Sequence, residues 1–313
     1  MMTENHASIV VPVYNRATAI VRCLDSIAMQ RGVEAFSVIV VDNNSTDGSA
    51  AAVSAWHDAH SEIDLMQVTE TRQGAAAARN KGLNMVTTPY VMFFDSDDEM
   101  RQGHLERLIK GIDKNPMADI LGWNMLYELP TGRNYLTKFI TAKPIYNHLT
   151  RVILATENYA VKTDFIKKAG GWDGGLRGWD DYELGVRLLL CDPAMAKLDN
   201  DSDDPLVCPR FSEDSITGRL FSTDPGKWEK ALDRIEDNLK EKCPEALYWV
   251  GYRRAVLAGM YAREGAAAEA SRLLAAAPCG KLSRPKARIC YEVTRLMGKG
   301  ARHAAALMLP TNF

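Results

Sequence analysis

The chain has 313 residues, 46% of them hydrophobic and 25% charged, with a formal net charge of -2. That size holds one large domain, or an α/β domain with a smaller appendage, and the near-neutral balance gives no basic footprint for nucleic acid. The six cysteines (Cys23, Cys191, Cys208, Cys243, Cys279 and Cys290) are scattered without a CxxC pair, which fits reduced thiols better than a disulfide frame or a zinc site.

The start, MMTENHASIVVPV, shows no basic leader and no cleavage site, and no run of about eighteen apolar residues occurs, so a soluble cytoplasmic protein is expected. Ser8 to Val13 is a short β-branched run, followed by Tyr14-Asn15-Arg16 as a loop. From Thr18, apolar Ile20, Val21, Leu24, Ile27 and Ala28 recur on one helical face. Phe36 to Val41 predicts a second buried strand ending in Asp42-Asn43-Asn44, with Ser45 or Thr46 capping a helix to about His60. Ile63 to Val68 predicts a third strand and Gly74 to Met85 an Ala-rich helix. Strands alternating with helices of this length mean βαβ units and a mostly parallel sheet. No GxGxxG turn follows the first strand, which argues against a nicotinamide or flavin dinucleotide.

The stretch Val86 to Met100 (VTTPYVMFFDSDDEM) organises the chain. Its apolar run, Tyr90 to Phe94, ends in Asp95-Ser96-Asp97-Asp98, and open α/β sheets place their ligand sites at such strand ends. Clustered carboxylates repel one another, and a fold tolerates them in a crevice when a hard cation such as Mg²⁺ or Mn²⁺ compensates. The alternative is a solvated acidic turn. An amphipathic helix from Gly103 to about Lys114 follows. Asp119 to Tyr127 then predicts a strand, paired through a Pro130-Thr131-Gly132 turn with Tyr135 to Ile145, and Val161 to Ala169 predicts a short helix closed by Gly170-Gly171. A glycine-rich loop leads into the helix that begins at Trp179-Asp180-Asp181, and Leu206 to Phe211 predicts another strand. Beyond Asp224 the pattern is wholly helical: Trp228 to Lys240, Ala246 to Arg263, Ala266 to Ala277 and Arg284 to Met297. A faint echo of Tyr261, Gly265 and Ala270 in Gly300, Ala305 and Pro310 suggests tetratricopeptide-like pairing, or chance recurrence in Ala-rich helices.

Four stretches taken together resemble the family 2 glycosyltransferases: Pro12 to Asn15, Val41 to Asp47, Gly74 to Gly82 (GAAAARNKG) and Asp95 to Asp98. With the later Trp179-Asp180-Asp181 segment, the resemblance covers about residues 7 to 220. It implies an α/β chain of the GT-A fold, Rossmann-like with a mostly parallel central sheet, over residues 1–223. Residues 224–313 would form a C-terminal all-helical domain able to dock a protein partner or a second copy. The implied activity is inverting, metal-dependent transfer of a sugar from a nucleotide-sugar, with UDP as carrier, to a glycan or lipid-linked acceptor in surface polysaccharide synthesis. A lipid-linked acceptor would bring peripheral contact with the inner face of a membrane. The competing reading is a catalytically inactive nucleotide-sugar-binding or scaffold protein on the same fold.

The residues support separate roles. Tyr14 can stack on a planar base, and Asp42 can accept a base N–H, as uracil offers at N3; the bland alternative for Asp42 is a turn cap. By resemblance Pro12, Tyr14, Asn15, Asp42, Arg79, Asp95 and Ser96 surround the donor, Asp95 and Asp97 serve the metal, and Asp98 closes the following turn. Arg79 reaches the nucleotide or pairs with a carboxylate. Inversion needs a carboxylate to remove the acceptor's hydroxyl proton. Asp180 and Glu183 have capping-box spacing, which would occupy Asp180 and leave Asp181 to act as base. The family pattern also selects Asp181; both aspartates complementing the helix dipole is the plain alternative. Trp172 and Trp179 stack on a sugar or belong to the core. Many relatives carry a histidine after the base helix, and Arg210 to Ser215 holds none, so Ser212, Glu213, Asp214 or water would complete the metal shell. The acidic stretch Asp199 to Pro205 lacks the glycine and glutamate of a calcium loop and reads as a solvated turn.

Overall fold

The first strand, β1 (Ala7–Val13), is buried along almost its whole length, as a β-branched run becomes when both faces of a sheet are covered. The structure, a computed structural model of the chain, describes residues 5–128, 134–198, 207–208, 220–277 and 284–298. The Pro130-Thr131-Gly132 turn, the Asp199 to Pro205 stretch, the Arg210 to Ser215 segment and the Gly300 to Pro310 half of the repeat lie outside the described residues.

Helix α1 (Ala17–Ala28) buries Ile20, Leu24 and Ile27 of the expected stripe together with Cys23, while Val21 and Ala28 are half-buried. Strand β2 (Phe36–Asp42), helix α2 (Ser49–Ala59), strand β3 (Leu65–Thr69), helix α3 (Ala75–Met85) and strand β4 (Tyr90–Phe93) follow in the expected order. Helix α2 starts later than the sequence suggests, because Asp47 rather than Ser45 or Thr46 serves its first turn: Asp47 Oδ1 accepts the Ser49 N–H at 2.9 Å. Helix α3 packs close to the sheet because Gly82 has no side chain; a Cβ there would collide with Val10. Strand β5 (Glu99–Met100) and helix α4 (His104–Lys114) complete this half.

Three expectations for the middle of the chain are corrected. The single strand expected over Asp119 to Tyr127 is two, β6 (Ile120–Gly122) in one sheet and β7 (Met125–Glu128) in another. Strand β8 (Asn134–Thr137) does pair antiparallel with β7, but helix α5 (Pro144–Arg151) replaces the end of the long strand expected over Tyr135 to Ile145. The helix expected over Val161 to Ala169 begins as strand β9 (Tyr159–Lys162) and becomes α6 (Thr163–Lys168) only afterwards. Helix α7 (Asp180–Leu189) is followed by strand β10 (Met195–Lys197), which the sequence did not announce, and by β11 (Val207–Cys208).

The main sheet has seven strands in the order β10-β6-β9-β4-β1-β2-β3, parallel except at β9, which runs antiparallel to β4 and β6. A second sheet orders β5-β11-β7-β8. Pro12 stands in a central strand without leaving a bond unmade. Val10 C=O faces β4 and Val13 C=O faces β2, so alternation points residue 12 toward β4, which has ended at Phe93.

The chain forms two compact units. The first comprises Met1–Thr141, Ile153–Arg177 and Cys191–Phe211, and holds both sheets. The second comprises Ala142–Val152, Gly178–Leu190 and Ser212–Phe313. Its helices α8 (Pro225–Lys242), α9 (Leu247–Arg263), α10 (Ala267–Ala275) and α11 (Arg284–Met297) match the helical pattern of the sequence. They share a hydrophobic core with Leu149 of α5 and with Tyr182 and Val186 of α7. Among the described residues no helix is long and apolar enough to cross a membrane.

Candidate active site

Val13 lies opposite Asp42 across the parallel β1–β2 pair, so both strands present their C-terminal residues at one edge of the sheet. Tyr14 follows with 48% of its surface exposed. Asn15 takes a left-handed φ of 51°, which asparagine tolerates. Its Oδ1 accepts the Thr46 N–H at 2.8 Å, and its own N–H donates to Ser45 Oγ at 3.1 Å, tying the loop after β1 to the loop after β2. Asp42 is 6% exposed. Its Oδ2 accepts the Ser45 N–H at 3.3 Å, whereas its buried Oδ1 has no partner among the described residues. Leaving a buried acceptor unmatched costs about 1–3 kcal/mol, so Asp42 both holds the turn and keeps one oxygen able to take an N–H from a bound molecule.

Asn43, which the sequence reading passed over, clamps the loop between β3 and α3. Its Nδ2 donates to the Glu70 carbonyl at 2.8 Å and the Arg72 carbonyl at 2.7 Å, and its Oδ1 accepts the Gly74 N–H at 2.7 Å. An Asn after an Asp at a strand end is so common in turns that only the contacts single it out.

The acidic loop lies at the end of β4. Arg79, 5% exposed on α3, donates from Nη2 to Asp95 Oδ1 at 2.7 Å, the carboxylate pairing that was one of its two expected roles. Its guanidinium lies 4.5 Å from the centre of the Trp172 ring, which meets Phe93 edge-on at 5.0 Å. Trp172 is only 2% exposed. Of its two expected roles this burial, with the guanidinium over the ring, matches the core one and leaves little surface for an acceptor sugar. Ser96 and Asp98 are buried at 6% each.

Glu157, which precedes β9, is the site residue the sequence concealed. It is 4% exposed, and its Oε1 accepts the Asp95 N–H at 2.7 Å. Carboxylate oxygens of Asp95, Asp98 and Glu157 lie within 4.8 Å of one another, and the Asp98 N–H closes the expected turn on the Asp95 carbonyl at 3.2 Å. Burial, then the Asp98 and Asp95 charges, push the Glu157 carboxyl well above the ordinary glutamate range. Asp97 lies to one side, with Arg16 Nε 3.8 Å from its Oδ2. Burial and the Asp95 charge raise its pKa against the pull of Arg16. Oxygen-only donors with this surplus of negative charge fit a hard divalent cation such as Mn²⁺ or Mg²⁺.

In the second unit, Asp180 and Asp181 open α7, both half-buried. The capping box expected between Asp180 and Glu183 is not formed. Trp179 occupies the cap position, and Glu183 is taken by Arg187, with bonds of 2.7 and 2.8 Å, and by Asn238 Nδ2 at 3.1 Å. The helix therefore begins one residue earlier, and it is Asp181 whose side chain meets an N–H of the first turn, its Oδ1 accepting the Tyr182 N–H at 2.8 Å. Trp179 is half-buried against Tyr182, Phe221 and Trp228.

The chain belongs to glycosyl transferase family 2, whose profile matches residues 8–167. A glycosyltransferase of Haemophilus influenzae is 27% identical over 252 residues, 76% of this chain and 79% of its own length. Further curated glycosyltransferases are matched over about half their length or less. Among solved structures, S. aureus TarS 1-349 in complex with UDP-GlcNAc superposes with a TM-score of 0.69 at 17% identity, over 95% of this chain and 92% of that one. Mannosyltransferase PcManGT from Pyrobaculum calidifontis, in complex with GDP-Man and Mn²⁺, gives 0.59 at 20% identity, over 97% and 86%. Both likenesses establish the GT-A type of fold, and the family makes the protein a glycosyltransferase.

Proposed function

We propose that the protein transfers a sugar with inversion from a UDP-sugar to a glycan or lipid-linked acceptor in surface polysaccharide synthesis, with a divalent metal as cofactor. The observation that carries the uridine reading is Asp42: a carboxylate oxygen at the sheet edge, buried and without a partner among the described residues, next to an exposed Tyr14 able to stack on the base. TarS holds UDP-GlcNAc and PcManGT holds GDP-Man, so the fold accepts either base and the choice rests on this chain's own residues.

Asp95, Asp97, Asp98 and Glu157 would hold the metal, which when bound neutralises charge growing on the departing nucleoside diphosphate. Arg79 keeps Asp95 in place. Asp181 removes the proton from the acceptor hydroxyl, whose oxygen bonds to the anomeric carbon as the bond to the diphosphate breaks. Asp180 is its neighbour and the alternative base, and Trp179 is the aromatic candidate for an acceptor sugar. Residues 1–223 are the proposed catalytic domain and 224–313 the helical one, and a lipid-linked acceptor would place the enzyme at the inner face of a membrane.

The test is thermal stability with UDP, GDP, CDP or TDP, each with and without Mn²⁺. Binding to the native state alone adds about 2.7 kcal/mol at a hundredfold excess over Kd. A rise selective for UDP and dependent on Mn²⁺ is expected. A rise with GDP alone would overturn the uridine reading, and none with any diphosphate would favour an inactive scaffold.

A further inference from the structure

Trp179 adopts φ 54° and ψ 28° immediately before the Asp180-Asp181 pair. A bulky residue holds this left-handed conformation only where its surroundings fix it. Here the surroundings come from the C-terminal helices. The Arg253 guanidinium, on α9 and 9% exposed, lies 4.9 Å from the centre of the Trp179 ring and 4.9 Å from that of Tyr182. The Trp228 ring of α8 is 5.4 Å from Trp179. On one side of the aspartates, a Cβ on Gly178 would meet Lys227 at 2.7 Å and Trp228 at 2.8 Å. On the other, Asn238 of α8 donates to Glu183. The contacts from α8 and α9 thus fall on Gly178, Trp179, Tyr182 and Glu183, bracketing the two carboxylates.

We propose that Arg253 is a positioning residue for the Asp180-Asp181 pair, and that the helical segment after residue 223 serves to shape the start of α7. The inference rests on the reading of Asp181 as base. A guanidinium is suited to the task because its plane packs against two aromatic rings at once, a contact that an ammonium covers poorly and a thioether does not make. Without it, Trp179 can leave its left-handed conformation and carry the aspartates with it.

The test compares Arg253→Met with Arg254→Met. Arg254 is the next residue on α9, and it pairs with Asp233 and Glu236 at 2.7 and 2.8 Å. Release of UDP from UDP-N-acetylglucosamine and from UDP-glucose is followed with Mn²⁺, at a temperature where both variants are folded. Arg253→Met is expected to lower kcat about ten- to hundredfold, leave the donor KM unchanged and displace the pH profile of kcat, with partial recovery in Arg253→Lys. Arg254→Met is expected to stay within about twofold of wild type for a comparable loss of Tm. Hydrogen exchange reads the same point without turnover: amides of residues 180–183 should exchange faster in Arg253→Met than in Arg254→Met. Equal kcat and equal exchange in the two variants would overturn the inference. Asp181→Asn, run alongside, separates the layers. Wild-type turnover in that variant would remove the base assignment itself, whereas an inactive Asp181→Asn beside an unaffected Arg253→Met would remove only the role of Arg253.

Discussion

His104 is fully buried, edge-on to Trp123 at 4.6 Å, with neither ring nitrogen partnered among the described residues. Burial, then the Arg107 charge, depresses its pKa to about 3. His148 is lowered to about 4, again chiefly by burial. In the unfolded chain both titrate near 6.5. Below that pH the unfolded state binds protons that the folded state refuses, so stability falls as pH falls, until the folded pKa is reached. The slope is about 1.4 kcal/mol per pH unit for each histidine. Glu157 and Asp97, raised in the fold, act with the opposite sign, so the contrast with a variant isolates the histidine. His104→Phe, which keeps the ring and removes the buried polar atoms, is expected to lose less Tm than wild type between pH 7 and 4.5. Parallel curves for the two proteins would refute this account. Not every site residue could be read at this scale. Asp42 was legible because a carboxylate closing a buried strand has few reasons to be there. Glu157, in the run ATENYA, carries no pattern at all.

At the scale of elements, Gly82 sets how closely α3 lies on β1 and β2. The missing side chain avoids Val10 and would stand 3.2 Å from Val41 Cγ2. Gly82→Val is expected to cost about 1–3 kcal/mol by overpacking, read as a lower urea midpoint at unchanged m. A midpoint within error of wild type would mean that the helix can lift without loss. Elements with their own period were legible in the sequence: the stripe of α1, and α8 to α11. The short central strands were not. Tyr159 to Lys162 becomes β9 by filling the place between β4 and β6 and bonding to both, and nothing in VKTDFIKK distinguishes that strand from the first turn of a helix.

For the molecule as a whole, the second unit draws one core from segments far apart in sequence. Leu149, Tyr182, Val186 and Phe221 pack with Trp228, Leu232 and the helices beyond. Cutting the chain after Thr223 would expose those side chains to water. Fragment 1–223 is therefore expected to lose its cooperative thermal transition and to bind a hydrophobic dye, even though the family profile ends at residue 167. A fragment that melts cooperatively near the wild-type Tm would refute this. The sequence by itself determined the family, the strand–helix alternation of the first half, the acidic loop and the aspartate pair, because each of these is written in contiguous residues with a local period or a local charge. Tertiary structure alone decided that Glu157 joins the acidic loop, that Arg79 pairs with Asp95, that Trp172 is internal and that Arg253 lies over Trp179. Those are pairings between residues distant in sequence, fixed by burial and by the demand of buried polar groups for partners, and no local pattern encodes them.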